Sequence, residues 1–140
     1  MKTLISAFVE LEVPFHDVDV MGVVWHGHYL KYFEQARTAL LQKIGFDYPQ
    51  MIEIGYVWPV VESYVKYLRP IRYSQRIKVD AQMVEYENRL RMAYVITDRD
   101  TGEKLTKGET TQVAIEINTK ELQFVSPRRF IEIVEQVNNG

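Results

Sequence analysis

The 140-residue chain contains no cysteine. That excludes disulfides, zinc–thiolate centres and a cysteine nucleophile, and it fits a reducing compartment. No apolar run approaches the roughly 20 residues that a membrane-spanning helix needs. Glu10 and Glu12 interrupt the opening stretch MKTLISAFVELEVPF, so no signal-peptide pattern is read there and a cytoplasmic location is expected. Charge of one sign is also scarce. Seventeen Lys and Arg stand against 19 Asp and Glu, a net charge of -2, which gives no reason to expect a nucleic-acid or anionic-membrane partner. The only serines are Ser6, Ser63, Ser74 and Ser126, and none sits in a G-x-S-x-G elbow, which removes the α/β-hydrolase route to ester cleavage. There is no glycine-rich phosphate loop and no RNA-recognition signature. Two of the histidines, His26 and His28, are two residues apart, a spacing that does not share a helix face, so no metal is expected.

What is present describes one soluble globular domain over residues 1–140, with 46% hydrophobic and 26% charged residues and enough chain to bury a real core. Residues 4–13 alternate Val9, Leu11 and Val13 with Glu10 and Glu12 and predict a strand ended by Pro14. Residues 26–44 predict one helix. Tyr29, Leu30, Phe33, Ala36, Leu40, Leu41 and Ile44 recur at steps of three and four, and Tyr32 and Ala39 widen the stripe, so the helix is expected to be deeply packed. Gly45 is its natural stop. From residue 57 the period becomes two, predicting strands over 57–68, 75–87, 89–98 and 104–117, the last with Val113, Ile115 and Ile117 facing away from Gln112, Ala114 and Glu116. Turn residues at Arg69-Pro70, Glu87-Asn88 and Asp100-Thr101-Gly102 suggest an antiparallel meander. Residues 127–137 predict a short helix with Ser126 as its N-cap. The class is α+β, a curved antiparallel sheet wrapped around one central helix. Such a sheet leaves a face and edges uncovered, so a homodimer or homotetramer is expected.

The candidate chemistry lies in FHDVDVMGVVWHGHYLKYFEQAR, residues 15–37. Two carboxylates, Asp17 and Asp19, precede Gly22 and a helix start near His26. A helix N-terminus offers unpaired backbone N–H groups and a partial positive charge, and a carboxylate offers a base or a nucleophile. Together they can hold a carbonyl and attack it. Asp19 also reads as a turn or capping residue, and Asp17 as a structural group that bonds loop amides and fixes Asp19. Glu34 and Arg37, three apart on one helix face, are expected to form an ion pair.

The run from Asp17 to Arg37, D-x-D-x-x-G-V-V-W-H-x-x-Y-L-x-Y-F-E-x-A-R, resembles the hotdog-fold acyl-CoA thioesterases of the 4-hydroxybenzoyl-CoA thioesterase type. It is similar to the small bacterial acyl-CoA thioesterases often encoded beside the Tol–Pal envelope system. The resemblance continues through Ile44-Gly45-Phe46-Asp47-Tyr48 and Tyr67-Leu68-Arg69-Pro70. It implies a hotdog fold, a dimer or tetramer, and thioester hydrolysis without a cofactor, coenzyme A being part of the substrate. The substrate implied is a short- or medium-chain or aromatic acyl-CoA; an acyl-carrier-protein thioester and a non-catalytic acyl-binding subunit are the alternatives. The resemblance further implies that Asp19 is the catalytic carboxylate, attacking directly or activating water, with the backbone N–H at His26 as oxyanion donor. Asp17, Gly22 and Glu34 would support it. Trp25, Tyr29, Phe33, Val57 and Trp58 are candidates for lining the acyl site. Cations among Arg69–Arg76, Arg89, Arg91, Lys104 and Lys107 would serve the coenzyme A phosphates. His28 departs from the family pattern, which more often has asparagine there.

Overall fold

The computed structural model, which describes residues 5–139, consists of a five-stranded sheet, a two-stranded ribbon and three α-helices, the longest of which is central. The predicted strand over 4–13 is β1, Ser6–Glu12; its first predicted residue, Leu4, lies outside the described residues. A single 3-10 turn at His26–His28 leads directly into α1, Tyr29–Lys43. Gly45, at φ +73, ends that run in the left-handed region, where a side chain would be strained. A short α2, Tyr48–Glu53, follows, started by a capping box between Asp47 and Gln50. Strands β2 (Tyr56–Val57), β3 (Val60–Tyr67), β4 (Arg76–Glu85), β5 (Leu90–Asp98), β6 (Lys104–Gln112) and β7 (Ile115–Glu116) come next, and α3, Arg128–Asn139, closes the order.

The helix is packed as its stripe requires. Tyr29, Tyr32, Phe33, Ala36, Leu40 and Leu41 are buried in one core with Ile77, Val79, Ala81 and Met83 of β4 and Leu90, Met92, Tyr94 and Ile96 of β5. Each such aliphatic or aromatic side chain contributes about 1.5–3 kcal/mol by leaving water. The Phe33 ring stacks on Tyr94 with centroids 4.5 Å apart, lying over Gly108 of β6. Leu30, placed in the stripe by its spacing, instead faces solvent at 42% exposure, because the buried face turns through Tyr29, Tyr32 and Phe33. Phe130 of α3 packs on Phe46 and Trp58 and closes one end of the core.

Several expectations are corrected. The sheet is not a simple meander: its order is β1-β4-β5-β6-β3, so β3 pairs with β6 and the chain crosses over before starting β4. Residues 68–75 are that crossover rather than a hairpin turn. The strand expected over 57–68 breaks at Trp58-Pro59, since proline has no N–H for a ladder, and its first part pairs with β7 in a separate two-stranded ribbon. The strand expected over 104–117 breaks in the same region. Its facing is also reversed, for Gln112 and Ala114 are buried while Val113, Ile115 and Ile117 are half-buried. Gln112 enters the interior because its side-chain amide donates to the Trp58 carbonyl at 2.6 Å. Ser126 does not cap α3; its hydroxyl donates to the Tyr86 carbonyl.

The two sheet edges are β1 and β3. Strand β3 is exposed at seven of its eight positions, including Val60, Val61, Tyr64 and Tyr67.

Candidate active site

The D-x-D stretch folds into a miniature hairpin. Its base is a hydrogen bond from the Trp25 N–H to the Asp17 carbonyl (3.0 Å), and Val18 bridges Val24. Higher up, the Asp19 N–H donates to the Val23 carbonyl (2.9 Å). The tip is the turn Asp19-Val20-Met21-Gly22, closed by the Gly22 N–H on the Asp19 carbonyl at 2.9 Å. Gly22 has φ +76, so glycine is required by the turn itself. The second arm of the hairpin is fastened to the crossover: the Val24 N–H reaches the Ile71 carbonyl (2.7 Å) and the Tyr73 N–H reaches the Gly22 carbonyl (3.1 Å).

Asp19 stands at the start of that tip turn, exposed, and its Oδ1 accepts the Met21 N–H at 2.8 Å. One carboxylate oxygen is thereby steadied by the turn, while Oδ2 receives no bond among the described residues. Asp17 is its opposite in environment. It is 1% exposed, and its two oxygens are taken by side chains of the first α1 turn: Lys31 Nζ donates to Oδ1 at 2.7 Å and the Tyr32 hydroxyl to Oδ2 at 2.6 Å. His28 Nε2 lies 3.8 Å from Oδ1 and His16 Nε2 3.7 Å. Burial pushes the Asp17 carboxyl up, but the bonds from Lys31 and Tyr32 and the charges of Lys31 and His28 outweigh it, so it sits below the usual carboxylate range. Burial, with Asp17 behind it, holds the Tyr32 hydroxyl far above its ordinary value, so it stays a donor. Asp17 therefore binds helix side chains rather than the loop amides expected of it, and its backbone carbonyl alone meets a loop N–H.

The amides of His26 and Gly27 open the helical run and have no earlier turn to donate to. The Trp25 ring lies over Gly27, where an added Cβ would meet it at 2.0 Å, and sits 5.5 Å from both the His26 and His28 rings. A cleft of about 310 Å³ runs past this helix start, lined by Val23, Val24, His26, Tyr29, Tyr67 and Leu68, with Arg69 and Pro70 completing its wall. Tyr29 and Tyr67 meet edge-to-face at 4.8 Å. The cleft and the helix start share His26, and the hairpin arm opposite Asp19 supplies Val23 and Val24 to the same cleft wall.

The other candidates are placed elsewhere. Tyr29 lines the cleft and Trp25 stands beside it, half-exposed, but Phe33 is fully buried beneath, against Tyr94 and Gly108. Val57 and Trp58 line a second hollow of about 400 Å³ with Glu34, Arg37, Thr38 and Gln112. Glu34 and Arg37 both face that hollow without forming the expected ion pair; Arg37 instead approaches the Tyr94 hydroxyl. Arg89 and Arg91 are engaged by Glu85 and Glu109. Lys31, Tyr32, Tyr67 and Leu68 were not among the expected site residues. Tyr32 is visible in sequence only as part of the helix stripe, and Lys31 carries no sequence signal of its role, since its partner lies 14 residues away.

A curved antiparallel sheet around one long helix, with the site at the helix start, is the hotdog fold. The chain belongs to the thioesterase-like superfamily, whose sequence profile matches residues 13–137. It is 38% identical over 109 residues to the Synechocystis protein sll0410, a provisional esterase, covering 77% of this chain and 66% of that one. It is 36% identical over 77 residues to YneP of Bacillus subtilis, a provisional acyl-CoA thioesterase, covering 55% of this chain and 56% of that one. The crystal structure of the DHNA-CoA thioesterase from Staphylococcus aureus matches with a TM-score of 0.84 at 29% identity, covering 96% of this chain and 91% of that one. The matched stretch thus spans slightly less than two thirds of the first curated relative and just over half of the second.

Proposed function

We propose that the protein is a cytoplasmic acyl-CoA thioesterase that releases a free acid and coenzyme A. The observation that carries this reading is Asp19 at the tip of a hairpin whose base is bonded through Asp17 to the first turn of α1 and whose second arm, at Val23 and Val24, lines an apolar cleft that reaches His26. The relatives named for thioester hydrolysis support it. Asp19 either attacks the thioester carbonyl, giving a mixed anhydride that water then cleaves, or takes a proton from water as that water attacks. In both routes the carbonyl oxygen gains negative charge, which the preorganised His26 N–H receives with help from the helix dipole. The carbon–sulfur bond then breaks. The thiolate is a stable leaving group, so the reading calls for no metal and no cofactor. Gly22 and Asp17 support the hairpin. Trp25 and Tyr29 border the acyl path, and Val57, Trp58 and Glu34 belong to the second hollow.

The reading includes a homo-oligomer. Asp19 is exposed in the single chain and is followed by Val20 and Met21, which are 102% and 77% exposed. A carboxylate in bulk water has little electrostatic leverage, and fully exposed apolar neighbours invite cover. The open edge of β3 offers a second copy a strand to pair with.

The test is a thiol-release assay over acyl-CoAs of short, medium and aromatic acyl groups, with acyl-carrier-protein thioesters as a separate arm. Turnover by wild type and a loss of about 10²–10⁴-fold in Asp19→Asn are expected. Glu34→Gln should lose far less. If Glu34→Gln collapses and Asp19→Asn does not, the carboxylate assignment is wrong. Binding of acyl-CoA without turnover in either arm would make the protein an acyl-binding subunit instead.

A further inference from the structure

We infer that Lys31 and Tyr32, acting through Asp17, are positioning residues that set where the Asp19 carboxylate stands relative to the helix start. The inference rests on the thioesterase reading for its catalytic consequence but not for its geometry. Asp17 ties the hairpin in two directions at once. Its carbonyl accepts the Trp25 N–H and joins the two arms at their base, while its carboxylate is gripped by Lys31 and Tyr32 on α1. The second arm is fastened separately, through Val24 and Gly22 to the crossover. The first arm, which carries Asp19, has the Asp17 carboxylate as its side-chain link to the helix.

The spacing makes that link a lever. Val18 is extended, at φ -99 and ψ 153, so residues 17 and 19 leave the chain on the same side, roughly 7 Å apart. A carboxylate fixed by two donors from adjacent helix positions cannot rotate freely, and Asp19 one step further on inherits that constraint. Misplacing a reacting group by about 1 Å can cost on the order of 10²-fold in rate. A need for stability alone is better met by apolar residues of similar volume, because burying an ion pair seldom outperforms them. What the charged arrangement supplies is direction.

Tyr32→Phe is the cleanest probe, since it removes the bond to Oδ2 without changing net charge. Two readouts are taken on folded protein, each variant well below its own melting midpoint. In hydrogen exchange, the amides of Asp19, Met21 and Gly22 should exchange about tenfold faster in Tyr32→Phe, while amides in the middle of β4 and β5 stay as in wild type. In steady-state assays, kcat should fall about 10–100-fold with KM within about twofold. Lys31→Met should do the same and Lys31→Arg should largely restore both readouts. A double variant Lys31→Met/Tyr32→Phe should be no worse than the product of the singles, because both act through one carboxylate. If the tip amides exchange at the wild-type rate, or if kcat is unchanged while Asp19→Asn collapses, the inference is overturned. If wild type hydrolyses no thioester, the thioesterase reading falls, and the exchange measurement decides the clamp by itself.

Discussion

Two aspartates two residues apart have been given opposite environments, and the difference is one of partners rather than of residue type. Asp19 keeps one oxygen for a backbone N–H and leaves the other open to solvent. Asp17 has both oxygens filled and is shielded from water. Its charge therefore bears on stability, and the sign follows from its depressed ionisation. A carboxyl held lower in the folded chain than in the unfolded chain stabilises fully above the unfolded value, about 3.9 for aspartate, and that stabilisation is lost as pH falls through the folded value. Asp17→Asn should cost roughly 1–3 kcal/mol at neutral pH by leaving the Lys31 donor unmatched. Urea unfolding should show this gap in full at pH 7 and show it closing below about pH 3.9. A gap that is the same at both pH values would mean that the Asp17 charge contributes nothing.

At the scale of elements, the meeting of α1 with β6 sets the tightest constraint. Gly108 lies under the Phe33 ring, and a Cβ there would sit 2.3 Å from that ring and 2.8 Å from the Tyr64 backbone carbonyl. The ring is itself stacked flat on Tyr94, so it has no room to withdraw. Gly108→Ala is accordingly expected to destabilise the fold by about 1–3 kcal/mol, the usual range for overpacking, readable as a lower urea midpoint with unchanged slope. Gly102, whose φ is above zero and where a Cβ would meet nothing within 4 Å, makes a useful contrast, since substitution there strains only the backbone. Phe33 was a candidate for the acyl site from its place in the motif. Its burial makes it part of the platform on which α1 rests, so its effect on substrate would be exerted through the helix.

At the scale of the whole molecule, the sheet ends on an edge, β3, that no strand among the described residues covers. Strand β3 carries Val61 and Tyr64 at 51% and 57% exposure beside its unpaired backbone groups. Long exposed edges of this kind are normally paired or blunted by charge. Light scattering should give at least twice the 16.5 kDa chain mass. Val61→Lys with Tyr64→Lys should shift the protein toward the single-chain mass and lower turnover with it. A monomer that is fully active would remove the oligomer from the proposed function.

The amino-acid pattern by itself determined the long helix, the stretches that form strands, and the placement of two carboxylates before a helix start, because these depend on local periodicity and on the chemistry of neighbours in sequence. The motif around Asp17–Arg37 likewise carried the family. Only the tertiary structure decided which strand lies beside which, since an alternating pattern states that a strand has an inner face and not who pairs with it. It decided that β6 turns Thr110 and Gln112 inward, against their polarity, because Thr110 bonds Tyr94 on the neighbouring strand and Gln112 bonds the Trp58 carbonyl in the connection before β3. It decided that Arg37 faces Tyr94 rather than Glu34. And it decided the partners of Asp17: a bond to residues 14 and 15 positions away leaves no periodic trace in the chain, and it exists only because the hairpin folds back onto the first turn of α1.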